Sequence, residues 1–435
     1  MTVPELRTAG VSEPGLRHTL FLLCAQVAIL HIGQSLVVPI LPLYARSFDV
    51  TPTVVGVLLA AQAVPRLFAN VPAGRLADRI GAHRLLAVAL VAALGAAAAP
   101  GYFVLLLCRV VQGIGSAISH TAGLTYAASL GGAHRRGRRV SLYQGSFLLG
   151  NGIGPVFGGL IAQHLGYRAP FLVYAGIAAV AGYVVLVRLP DPRARGSAEP
   201  IADEHEAGMR AGAWSLLLSG GILMACFMAL LSAYTRSGSR DFALVLLADA
   251  RGVVESQIGL ALTLIFLANV AVLYLAGALV DRYGPREVLM PGWLLVGSGL
   301  TLLAVTQSYS GLLTAAVLYG LGAGIGNAVP AIHIANAVRL EQRGLALGIF
   351  RTFSDFGLIV GPLLMGWMAG TVGLAWGVGL NAAVVFVAAV AFLLFGPVVD
   401  RCRRRSPLTR RRSIATPMAD DQVRRSEEMR EKVGG

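Results

Sequence analysis

Two groupings of arginine with aspartate interrupt otherwise apolar stretches of this chain, and they are where chemistry is possible. Arg351 and Asp355 stand four residues apart in the run Gly344–Ala369. On a helix that spacing puts both on one face. A nearby cation favours the ionised carboxylate, and removal from water favours the neutral one. A change of surroundings can therefore load or release a proton. The second grouping is Arg236-Ser-Gly-Ser-Arg240-Asp241. Arg236 and Arg240 share a face, with Asp241 beside them. Arg66 and Arg109 add two cations inside apolar runs, where a charge is costly and normally faces a cavity or a partner. His31, Gln34, Gln112 and Asn269 are further polar residues of such runs. His31, His120 and His333 read individually as hydrogen-bonded packing residues, although imidazole titrates near neutrality and leaves a proton relay open. Together Arg66, Arg236, Arg240, His31, Gln34, Gln112 and Asn269 outline a polar, electropositive substrate cavity. Asp355, Arg351 and Asp241 are its candidates for proton coupling.

The elements that must position these residues follow from composition. Of 435 residues, 56% are apolar and 13% charged, with a mean hydropathy of +0.69. A soluble domain averages about 25% charged residues. A soluble enzyme, a secreted disulfide scaffold and a disordered chain are excluded. A polytopic all-α membrane protein remains. A span needs about 20 mostly apolar residues, and twelve such stretches are predicted. They are Thr19–Tyr44, Val54–Ala73, Leu85–Ala99, Tyr102–Leu130, Val140–His164, Pro170–Val187, Ala213–Ala248, Ile258–Val280, Val288–Thr306, Gly311–Val338, Gly344–Ala369 and Leu374–Phe395. If the seventh helix ended near Arg236, its charges would sit at the outer surface instead. Cys24, Cys108 and Cys226 lie within these runs; with Cys402 they show no metal-ligand spacing.

The formal net charge of +14 does not point to nucleic acid. Basic residues gather in short gaps and in the tail beyond Val399. With the N-terminus inside, the inner segments hold Arg7, Arg17, Arg75, Arg79, Arg84, the Arg135–Arg139 cluster and others, whereas the outer loops hold only Arg46, Arg168 and Arg251. By the positive-inside rule both termini are cytoplasmic. The polar stretch near Arg188–Gly212 reads as a linker. The expected organisation is a six-helix bundle over 1–188, a linker over 189–212, a second bundle over 213–398 and an Arg-rich cytoplasmic tail over 399–435.

The halves repeat. Gly74-Arg-Leu-Ala-Asp78-Arg79-Ile-Gly81 recurs as Gly277-Ala-Leu-Val-Asp281-Arg282-Tyr-Gly284, at an offset of 203. Gly150, Gly154-Pro155 and Gly159 recur as Gly357, Gly361-Pro362 and Gly366, at an offset of 207. Six spans separate the copies, so the repeats run parallel, as in carriers that alternate access about a midplane cavity.

At these residues the chain resembles the major facilitator superfamily, across essentially its whole membrane portion. The resemblance implies two parallel-repeat six-helix bundles. It implies that Gly74, Asp78, Arg79 and Gly81, with Asp281 and Arg282 in the second copy, form a cytoplasmic conformational latch. The physical basis is that a carboxylate is favoured at a helix N-terminus. The family's basic pair after the second glycine is here Ala82-His83. Leu107-Cys-Arg109-Val-Val-Gln112-Gly113 is similar to a second motif, whose buried arginine the family associates with proton transfer. Gly150, Gly154, Pro155, Gly158 and Gly159 are similar to the antiporter motif of drug/proton exchangers, with Ser141 where a glycine sometimes stands. Small residues there allow close helix contact. Many of these exporters carry an acid in the first helix; this chain has His31 and Gln34.

The function expected is secondary transport: proton-coupled efflux of small organic molecules by a drug:H+ antiporter in a bacterial inner membrane, acting as a monomer. Uptake or exchange of organic anions is the alternative that Arg66, Arg236 and Arg240 favour. A non-transporting membrane scaffold or sensor is a third. No enzyme motif, metal cluster or cofactor loop is expected, and no Gly-x4-Gly-Lys-Ser/Thr loop marks direct use of ATP.

Overall fold

The computed structural model describes residues 13–69, 91–129, 136–188, 220–337 and 343–404. The helices are α1 (Glu13–Leu36), α2 (Leu41–Arg46), α3 (Pro52–Ala61), α4 (Ala63–Ala69), α5 (Tyr102–Ser129), α6 (Arg136–Leu165) and α7 (Ala169–Arg188). After them come α8 (Gly220–Tyr234), a π-helix (Thr235–Leu244), α9 (Val245–Ala250), α10 (Glu255–Tyr283), α11 (Pro285–Val305), α12 (Tyr309–Ala337), α13 (Arg343–Thr371) and α14 (Leu374–Arg404). Residues 91–97 are helical too, so each of the twelve expected spans contains helix. Among the described residues, seven helical stretches are long and apolar enough to cross a membrane, and three shorter apolar ones join them.

Local chemistry places the interruptions. The first span breaks at 37–40 and resumes with Pro42 in the first turn of α2. The second breaks at Gln62, between α3 and α4. The seventh does not end near Arg236. It passes through the π-helix into α9 and stops only at Arg251. Gly284 and Gly373, with φ of 90° and 97°, turn the chain where a side chain would be strained. The last helix runs past Phe395 to Arg404.

Large apolar side chains cover the outside: Phe68 is 72% exposed, Phe103 76% and Trp376 77%. Such a surface suits lipid, not water. One apolar core runs through both halves of the chain, from Ile40 and Phe171 to Phe242, Ile265 and Val385.

The repeat is visible in how the halves meet. A Cβ on Gly56 of α3 would run into the carbonyl of Pro362 in α13. A Cβ on Gly259 of α10 would run into the carbonyl of Pro155 in α6. Gly366 lies in the same way on Pro52, and Gly159 on Glu255. Each half thus lends its Gly-Pro helix to the other half's second span. Glycine is required at these contacts because the backbones themselves touch.

Candidate functional site

The seam brings α4 beside α13, and with it a charge pair between the halves. Arg66 Nη2 lies 3.3 Å from Asp355 Oδ1. The aspartate is 2% exposed. Arg351, one turn earlier on the same helix, is exposed and interacts electrostatically with both Arg66 and Asp355. Asp355 therefore sits between a cation of its own helix and one from the other half. The second of these partners is 289 residues away and has no signature in local spacing.

The π-helix carries the other grouping. Arg240 Nε donates to Asp241 Oδ1 at 2.6 Å, with both side chains about a quarter exposed (25% and 22%). Arg236 is exposed and has Arg240, Asp241, Arg66 and Tyr319 as electrostatic neighbours. Those neighbours come from both halves, so Arg236 faces the space between them. The stretch is pinned on two sides. Ser237 Oγ donates to Ala233 O at 3.0 Å and reaches Gly357 O of α13 at 3.4 Å, with Gly361 packed against it. Asn381 of α14 donates to Ser239 Oγ at 2.6 Å and accepts from Thr235 Oγ1 at 3.3 Å. Asn381, Thr235 and Ser239 are all buried. π-helical turns are uncommon and concentrate at functional sites.

Arg109 occupies a separate, buried position in the first half. Its guanidinium donates to Gln112 Oε1 at 2.8 Å and to Gln62 Oε1. Gln62 is the residue at the α3–α4 break, and Gly113 of α5 packs directly on its backbone. Arg109 Nε and Gln112 Nε2 have no hydrogen-bond partner among the described residues. Gln112 is thus a ligand of Arg109 and is itself buried. Tyr174 is an electrostatic neighbour of Arg109.

His31 is oriented by its own helix: Nδ1 donates to Val27 O at 2.8 Å, and the ring packs on Phe147 at 4.2 Å. Arg66 lies within its electrostatic reach. Gln34 is half-buried on α1, and Asn269 offers its backbone carbonyl to the close approach of Gly324. In the fifth span, Gly150, Gly154 and Gly158 seat α1 against α6, whereas Gly159 and Pro155 meet α10. The motif glycines therefore serve one contact inside the first half and one between halves.

Of the residues assigned to the latch, Gly74, Asp78, Arg79 and Gly81 lie outside the described residues. So does the side chain of Asp281. Arg282 is exposed and stacks over Tyr283 at 5.2 Å. His120 and His333 lie on α5 and α12, with side chains outside the described set.

Other cross-half bonds close the end of the bundle that carries the α2 terminus. Arg46 Nη1 meets Asp249 Oδ2 at 2.9 Å, and Tyr167 donates to Glu255 Oε1 at 3.1 Å. Burial, reinforced by the negative charge of Glu255, raises the Tyr167 phenol above its ordinary pKa and keeps it a donor. Sequence reasoning missed these residues. One signal was present: Arg46 and Asp249 stand at the repeat offset of 203.

The sequence profile of the Major Facilitator Superfamily matches residues 23–239 and 230–426. An uncharacterized MFS-type transporter of Methanocaldococcus jannaschii is 23% identical over 351 residues, covering 79% of this chain and 89% of that protein. The quinolone resistance protein NorA of Staphylococcus aureus is 23% identical over 364 residues, covering 80% of this chain and 89% of that protein. In fold, the chain is similar to a bacterial homolog of the human lysosomal transporter Spinster in its inward-facing and occupied conformation. The TM-score is 0.75 at 14% identity, over 89% of this chain and 98% of that one. The chain belongs to the Major Facilitator Superfamily, and it is a membrane transporter of that fold.

Proposed function

We propose that the protein couples protons to the export of small organic molecules by alternating access. The observation that carries this is the buried carboxylate of Asp355 paired across the halves with Arg66. Closing the halves brings Arg66 onto this carboxylate and parting them takes it away. A proton and Arg66 then compete for one group, so proton binding and conformation are linked, which is the differential affinity that coupling requires. Arg351 stands beside the same group on its own helix, and Asp241, paired with Arg240, and Arg109, in its separate buried position, are the further coupling candidates.

Export is supported by the Gly150–Gly159 seam, which resembles the antiporter motif, and by the likeness to the quinolone resistance protein NorA. With both termini cytoplasmic, the end where Arg46 meets Asp249 is the outer face, and the conformation is closed there. The working units are the bundles 1–188 and 213–398, joined by the linker 189–212 and followed by the basic tail, as a monomer in a bacterial inner membrane. The Asp78 loop is the inner latch.

The test is reconstitution in vesicles with an imposed pH gradient. Asp355→Asn should retain exchange of substrate for substrate and lose pH-driven transport. Loss with Asp241→Asn but not Asp355→Asn would move the role to Asp241, and pH-driven transport in both would remove proton coupling through either acid. A second reading, uptake or exchange of organic anions, is favoured by the arginines that outnumber the acids around Asp355 and Asp241.

A further inference from the structure

We propose that the π-helical stretch Thr235–Leu244 is an anion-binding subsite of the transport cavity, in which Arg236 receives a carboxylate, sulfonate or phosphate group of an organic substrate. The inference rests on the transporter reading and holds for either direction of movement.

Arg66 lies within electrostatic reach of both Arg236 and Arg351, and Arg240 within reach of Arg236, so four arginines stand against the two acids Asp241 and Asp355. Both acids are engaged: Asp241 with Arg240, and Asp355 with Arg66. Arg236 forms no ion pair or hydrogen bond among the described residues, yet it is accessible and flanked by cations from both halves. Asp241, the one acid within Arg236's electrostatic reach, is already bonded to Arg240, and a cation inside a membrane protein that must share its counter-charge is costly. It is tolerated where it faces a water-filled space, and a guanidinium there offers a forked set of donors matched to an oxyanion.

The site is also held in shape before any ligand arrives. The two hydroxyl residues bonded by Asn381 are Thr235 and Ser239, each immediately preceding an arginine, Arg236 and Arg240. Ser237, between them, is tied to α13. Rotation of the stretch is thus fixed from α13 and α14 at once, leaving Arg236 and Arg240 on the remaining side. Pre-organisation of this kind lowers the cost of ordering on binding. Asn381 is a positioning residue, acting through Thr235 and Ser239.

Purified full-length protein in lipid nanodiscs tests this with two xanthene dyes of opposite charge, carboxyfluorescein and rhodamine 6G, followed by fluorescence anisotropy. Carboxyfluorescein should bind about tenfold or more tightly than rhodamine 6G, a gap of about 1.4 kcal/mol. Arg236→Gln should weaken carboxyfluorescein about tenfold, and Arg236→Lys should restore most of the loss. Asn381→Leu should weaken the anion selectively, with no further loss when Thr235→Val and Ser239→Ala are added, because the three act as one unit. Arg168→Gln, in a distant loop, should leave the dye preference unchanged. A preference for rhodamine 6G, absence of carboxyfluorescein binding, or an affinity indifferent to Arg236→Gln overturns the proposal. The same preparations in pH-jumped vesicles separate the two inferences. Proton-driven transport without anion preference removes only the substrate class, whereas anion binding without proton-driven transport removes only the coupling mechanism.

Discussion

The hydroxyl of Ser35 lies between the carbonyls of Gly150, at 3.0 Å, and Ile32, at 3.1 Å, and it has a twin in Ser237, between Gly357 at 3.4 Å and Ala233 at 3.0 Å. In each half a serine of the first span sits on the first glycine of the repeated Gly-Pro motif in the fifth. The internal repeat therefore extends from sequence to individual hydrogen bonds. The anchor glycines stand 207 apart and the serines 202, so the two crossings superpose with a small change of register.

The seam between halves should respond symmetrically. Gly56→Val and Gly259→Val each drive a branched side chain into a proline carbonyl of the other half. Overpacking of this kind costs about 1–3 kcal/mol. Both variants should open the end that carries Arg46, read as faster labelling of a cysteine placed at Thr53. If only one of them does so, the two crossings are not equivalent in energy.

Charge at that end is testable by swapping. Arg46 and Asp249 are partly exposed, and such a pair contributes about 0–1 kcal/mol. Arg46→Glu should loosen closure by placing two acids together, and adding Asp249→Arg should restore it. Raising the salt concentration should shrink both effects. Equal labelling rates in the single and double variants would mean the pair has no part in closure.

Arg109 should depend on Gln62. Removing that amide in Gln62→Ala leaves a buried guanidinium short of one acceptor, at a cost of about 1–3 kcal/mol. Thermal unfolding in detergent should show a lowered midpoint for Gln62→Ala and none for Gln62→Glu, which supplies a counter-charge. An unchanged midpoint in Gln62→Ala would show that Arg109 draws its stability from elsewhere.

Orientation has a direct measurement. Reporter fusions near Glu199 and near Asp420 should both report cytoplasm, and one at Arg251 should report the outside, as the asymmetry of basic residues requires. An inside signal at Arg251 would reverse the proposed faces.

The membrane class, the repeat and the small-residue pattern of the fifth and eleventh spans were legible from sequence alone, because each rests on properties that act segment by segment; that those glycines meet the other half's second span was decided by the assembled fold. Apolar runs partition into lipid one helix at a time, and small residues at a fixed spacing mark close backbone contact wherever they occur. The approximate place of the charges was legible for the same reason: an arginine or aspartate in an apolar run stands out whatever its partner. Their pairing was not. Spacing along one helix joined Asp355 to Arg351, and it could not see Arg66, 289 residues away. Gln62 beside Arg109 and Asn381 beside Ser239 were equally hidden, because a lone amide in an apolar run has many possible partners. The π-helix was hidden too, since its register is held by the backbone of α13 at Gly357 and by the Asn381 side chain of α14. Which polar groups meet is decided by the crossing of helices from distant parts of the chain, and in an apolar interior each must find a partner that only the assembled structure supplies.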